Sequence, residues 1–89
     1  MKTVFKYKLE TTEYQVLQIP RDGKILTVQI QQNNVVLWVL VEADKEYEDR
    51  TFIIVGIGHP IYETDKELIY IGTYQLSDGE FTRHVFEKV

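Results

Sequence analysis

The chain of 89 residues carries ten Lys and Arg against fourteen Asp and Glu, a formal net charge of -4, with no cysteine and 44% hydrophobic residues. That length suits one domain, residues 1–89, with a single core, and the absence of cysteine excludes a disulfide framework, a thiolate nucleophile and a thiolate metal site. No apolar run approaches the ~18 residues of a membrane helix, and Lys2 and Lys6 interrupt the stretch where a signal peptide would be apolar, so a cytoplasmic location is expected.

Thr3 to Leu9 alternates with period two, Phe5, Tyr7 and Leu9 on one face and Lys6 and Lys8 on the other, which predicts a half-buried strand near a sheet edge. Glu10 to Glu13 turns the chain. Tyr14 to Ile19 predicts a second strand with Leu17 and Ile19 on one face, and Pro20 ends it. Arg21-Asp22-Gly23 then predicts a turn in which the glycine supplies a positive φ. From Lys24 to Gln32 the alternation places Leu26, Val28 and Ile30 inward, and Asn33-Asn34 predicts a type I′ hairpin turn. Val35 to Val41 is an unbroken apolar run holding the single tryptophan, Trp38, and it predicts a central strand covered on both faces.

An acidic segment leads from Glu42 to Arg50, where a strongly apolar strand runs to Ile57. Gly58-His59-Pro60 breaks that strand, Ile61-Tyr62 follows, and Glu63 to Glu67 forms a second acidic loop; 42–50 and 61–67 are the stretches with room for a single helical turn. Leu68 to Leu76 resumes the strand pattern, with Gly72 as a bulge or close-approach point. Ser77-Asp78-Gly79-Glu80 predicts a turn, after which Phe81, Arg83 and Val85 share one side of the last strand and Thr82, His84 and Phe86 the other. Phe5, Trp38, Phe52 and Phe86 are expected in the core. About seven strands with turn signals every 8–12 residues or so predict an all-β fold, a single compact antiparallel barrel or sandwich.

Catalytic parts are scarce. Ser77, the only serine, lies in a turn, and the two histidines, His59 and His84, would need distant carboxylates to complete a metal site, so neither enzyme activity nor a metal nor a cofactor is expected. Gly56-Ile57-Gly58-His59-Pro60 is the specialised piece. Glycines after a strand let successive backbone N–H groups point one way and form an anion-binding concavity, to which His59 adds a donor; a rigid strand crossover would use the same residues. Gly56, Gly58, His59, Arg50, Arg83 and His84 are the candidate ligand-binding residues, with ion pairing the competing role for both arginines. Residues 42–67 hold eight acids against three bases, so direct nucleic-acid binding is not expected. Within that segment Glu46, Tyr47, Glu48, Asp49, Tyr62, Glu63 and Asp65 form a candidate protein-interaction surface, with loop solubility as the plainer role.

Met1-Lys2-Thr3-Val4-Phe5-Lys6-Tyr7, Ile25 to Gln29, Leu37-Trp38, Arg50-Thr51-Phe52, Gly56 to Ile61, Tyr70 to Gln75 and His84 to Glu87 together resemble a family of short, functionally uncharacterised bacteriophage and prophage proteins. The Gly-x-Gly-His-Pro and Tyr-Ile-Gly-Thr pieces are the specific ones. The resemblance implies no activity but a setting, the cytoplasm of an infected bacterial host, where small accessory proteins without catalytic parts act by binding. The leading expectation is therefore a non-enzymatic phage accessory protein that antagonises host defence by sequestering a nucleotide immune signal. The alternatives are an acidic, anti-CRISPR-like inhibitor of a host nuclease, and a structural or assembly protein of the virion that forms a homo-oligomer.

Overall fold

Period-two patterning leaves each segment one apolar face, and the chain buries those faces by packing two antiparallel sheets together. The computed structural model describes residues 1–89 and contains seven strands: β1 (Lys2–Lys8), β2 (Tyr14–Pro20), β3 (Lys24–Gln31), β4 (Asn34–Glu42), β5 (Tyr47–Gly56), β6 (Leu68–Leu76) and β7 (Phe81–Lys88). One 3₁₀ turn, Asp65–Glu67, lies in the second acidic loop. Strand order is β1-β4-β3 in the first sheet and β2-β5-β7-β6 in the second, every neighbour antiparallel. The all-β fold expected from the patterning is present, and of the barrel or sandwich it allowed, the two packed sheets make it a sandwich. No helix is long and apolar enough to cross a membrane.

The core forms where Leu37, Val39 and Val41 of β4 meet Ile19, Phe52, Ile54, Tyr74 and Val85 of the second sheet. Full burial of each aliphatic or aromatic side chain stabilises the fold by ~1.5–3 kcal/mol. The central strand is sealed on its inner face only. Val36, flanked by Lys8 and Gln29, is buried on the outer face, but Trp38 and Leu40 are only half-buried there. Trp38 therefore lies outside the core, and so does Phe86, which packs edge-on against Tyr70 on the outer face of the second sheet at 5.6 Å.

Local departures from the patterning have local causes. A register irregularity between Ile25 and Thr27 turns Ile25 inward and leaves Leu26 44% exposed, so Leu26 does not face the core. The β3–β4 turn sits at Gln32-Asn33, with φ of 50° and 66°, one residue before Asn33-Asn34, because Asn34 already pairs with Gln31. At the β2–β3 turn the positive φ falls on Asp22 at 64°. Gly23 is needed there for space, since a Cβ would lie 2.8 Å from Ile19 Cγ2 and 3.1 Å from the Pro20 carbonyl oxygen.

Strands β5 and β6 are both antiparallel to β7, which separates them, and so run parallel to each other. Residues 57–67 must then return along the sheet from the level of Gly56 to that of Thr51, where Lys88 pairs with both Thr51 and Leu68. They pass over its outer face, where Ile53 and Val55 point away from Phe52 and Ile54 yet are 1% and 5% exposed. Tyr14, paired with Ile53, donates its hydroxyl to Glu63 Oε2 at 2.6 Å and so pins this strap to β2.

Candidate functional site

The glycine segment closes β5 with a tight turn. The His59 amide donates to the Gly56 carbonyl at 3.2 Å, and Gly58, third in the turn, has φ 78°, the position where a type II turn favours glycine. A β-carbon at Gly56 would lie 3.1 Å from His59 Nδ1 and 3.5 Å from Arg83 Nη1. Gly56 thus gives the imidazole and the guanidinium room to converge over the end of the sheet. Arg83 reaches the place from β7, where it pairs with Gly56 on one side and Tyr74 on the other.

These groups line a cleft of ≈ 350 Å³ completed by Thr11, Glu13, Pro60 and Tyr62. The corner between β1 and β2 brings in Thr11 and Glu13, held in place by the Ile54 amide donating to the Glu13 carbonyl at 2.9 Å. Tyr62, 80% exposed, forms the rim. Arg83 donates to the Thr82 carbonyl at 3.0 Å and lies 5.8 Å from the Phe81 ring, and it makes no ion pair. Burial pushes the Tyr74 hydroxyl above its ordinary pKa while the neighbouring Arg83 charge opposes the shift. The cleft therefore offers a guanidinium free of carboxylate partners, an imidazole, one carboxylate and an exposed aromatic ring.

Gly56, His59 and Arg83 come together here, joined by Tyr62 from the acidic segment, while Gly58 shapes the turn without lining the cleft. Arg50 and His84 do not. Arg50 forms a bidentate pair with Glu87 at 2.6 and 2.7 Å inside the sandwich and also donates to the Gly23 carbonyl, so its donors are engaged. His84 stands on the outer face of the second sheet, its Nδ1 2.9 Å from Thr73 Oγ1, which is in turn 2.6 Å from the Tyr70 hydroxyl. The acidic candidates divide as well. Glu46 directly precedes β5 and Tyr47, Glu48 and Asp49 open it, about 23–30 Å of strand from Gly56 for the last three. Asp49 accepts from Gln18 at 3.1 Å, and Glu63 is held by Tyr14 and, at 3.6 Å, by Lys88. Asp65 opens the 3₁₀ turn, in which Glu67 accepts from the Thr64 amide at 2.9 Å.

Thr11 and Glu13 were not legible as site residues, because a turn between two strands gives no local sign of which distant strand end it meets. No curated protein and no solved structure matches the chain. The model of the DUF7352 family, a domain of unknown function, matches residues 1–89, and the protein belongs to that family.

Proposed function

We propose that the protein is a non-enzymatic binding protein whose cleft at the glycine turn holds a small phosphate-bearing ligand of the nucleotide class. The observation that supports this most is the convergence of His59 and an ion-pair-free Arg83 over Gly56, beside an exposed Tyr62. Arg83 and His59 suit a phosphate, Tyr62 a stacked base, and the Glu13 carboxylate a hydroxyl or amino donor of the same molecule. The resemblance to phage proteins gives the reading its setting, in which sequestering a nucleotide immune signal antagonises host defence.

Thermal unfolding with a panel of linear and cyclic nucleotides and ADP-ribose-type compounds tests it. A ligand at a hundred times its dissociation constant stabilises by about 2.7 kcal/mol, a rise of roughly 10–20 °C for a domain of this size. The shift should appear with one compound class and vanish in Arg83→Ala and His59→Ala. No shift across the panel, or a shift both variants retain, rejects the cleft as the site.

A further inference from the structure

We infer that the outer face of the three-stranded sheet is a second binding surface, and that its ligand is single-stranded nucleic acid. Four of the ten Lys and Arg form ion pairs with side-chain carboxylates, Arg21, Lys45, Arg50 and Lys88, which leaves six that do not. Four of those six, Lys2, Lys6, Lys8 and Lys24, stand on this one face. Every second residue of β1 from Lys2 points outward, and Lys24 lies across β4 from them, paired with Leu40.

Between the two basic edges runs the outer row of β4, Val36, Trp38 and Leu40, bordered on β3 by Thr27, Gln29 and Gln31. Trp38 is fixed by donating Nε1–H to Gln29 Oε1 at 3.0 Å, and Lys6 donates to Gln31 at 3.0 Å. Trp38 stands between two hollows, one lined by Lys6 and Lys8, the other by Lys2 and Lys24. At the second hollow Asp22 is matched by Lys45 at 3.1 Å, and Glu42 shares the Met1 ammonium, 3.3 Å away, with Asp44 at 2.7 Å. From Val36 to Leu40 the row covers about 14 Å, roughly the reach of a few nucleotides.

An aromatic platform flanked by solvated ammonium groups and side-chain amides matches a chain of stackable bases on a phosphate backbone. An acidic peptide would satisfy the lysines and leave Trp38 unused. The net charge of residues 42–67 does not oppose such binding, because most of those acids lie in the loops and in the four-stranded sheet, and those that reach the rim of this face, Glu42 and Asp44, gather on the Met1 ammonium.

The single tryptophan makes the test direct. Oligo-dT or oligo-U of about ten nucleotides, titrated at ~50 mM salt, should quench Trp38 fluorescence saturably, with a log–log salt slope of about -2 to -3 for three or four phosphate contacts. Lys6→Glu with Lys8→Glu should weaken binding at least tenfold and flatten that slope, at unchanged circular dichroism and melting temperature. Trp38→Leu, followed by anisotropy of labelled oligonucleotide, should lose about tenfold in affinity while keeping the slope. Three results overturn the inference: no quenching at millimolar oligonucleotide, equal binding by the Lys6→Glu/Lys8→Glu protein, or binding of poly-glutamate as tight as that of the oligonucleotide. The last would mark an acidic protein as the ligand. Because no tryptophan lines the glycine-turn cleft, this result is independent of nucleotide binding there.

Discussion

Arg50 and Glu87 sit on the inner face of the second sheet, where the patterning would place apolar side chains, and each is tolerated only because of the other. Their side chains are 17% and 8% exposed, and both Glu87 oxygens accept from the one guanidinium. The pairing holds Arg50 charged, raising its pKa further, and its third contact, to the Gly23 carbonyl, ties the β2–β3 turn to the same knot. Glu87→Leu should therefore destabilise the fold by about 2–4 kcal/mol, since it strands a buried cation. Arg50→Met added to Glu87→Leu should recover most of that loss, because an apolar pair of similar volume removes the desolvation penalty on both sides. Urea unfolding of the two singles and the double closes the cycle. Additive losses would show that the pair is not coupled. Arg50 was legible in the sequence as a charge beside a strongly apolar strand, with an ion pair as one of its two roles. Its partner was not, because the register of β5 on β7 is set by packing, not by any local pattern.

Two elements carry most of what departs from simple alternation, the strap over the second sheet and the seam between β3 and β6. The strap is held where Tyr14 meets Glu63, a contact that pushes the Tyr14 pKa up to about 12 and holds the Glu63 carboxyl below the usual carboxylate range. A raised folded-state pKa on Tyr14 means that stability is intact below pH 10 and falls as pH climbs from about 10 to 12. The depressed Glu63 value acts in the opposite sense, so its contribution is present at neutral pH and is lost as pH falls below about 4.5. Tyr14→Phe should flatten both limbs of the melting-temperature profile relative to the parent protein; parallel profiles would show that the hydrogen bond does not hold the strap. At the seam, a β-carbon on Gly72 would lie 2.8 Å from Val28 Cγ1. Gly72→Ala should cost roughly 1–3 kcal/mol through overpacking, and Val28→Ala in the same chain should make Gly72→Ala nearly neutral. Chemical denaturation of both pairs measures this. Gly72 was legible because a glycine inside an apolar strand marks a bulge or a close approach, and here the register shift after Tyr70 and the contact with Val28 make it both. The strap was not, since Ile53 and Val55 share a strand with Phe52 and Ile54, and a run apolar on both faces does not say what covers the second one.

On the scale of the whole molecule, charge and edges are unevenly distributed, and that distribution yields a prediction about self-association. The outer edge of the first sheet is β1, whose outward lysines discourage strand addition. The outer edge of the second sheet is β2, seven residues from Tyr14 to Pro20 without a single charge. Val16 and Tyr14 on this strand are 57% and 47% exposed, and β2 pairs with β5 alone. Proline guards only its last position. An unguarded edge of this kind is a template for antiparallel pairing with a second copy, which would join two four-stranded sheets into one. The net charge of -4 supplies only weak repulsion between copies, and salt removes most of it. Sedimentation equilibrium at ~1 mM protein and physiological salt should therefore give a weight-average mass that rises above the 10.5 kDa of the monomer. Val16→Lys places a charge on that strand in the manner β1 already uses, and its mass should stay at 10.5 kDa at the same concentration. Val4→Lys on β1 is the matched control, because it adds the same charge to an edge already protected and should leave the association unchanged. A parent protein that remains monomeric would show that the β2 edge recruits no second copy, and an equal effect of the two substitutions would assign the association to general charge instead.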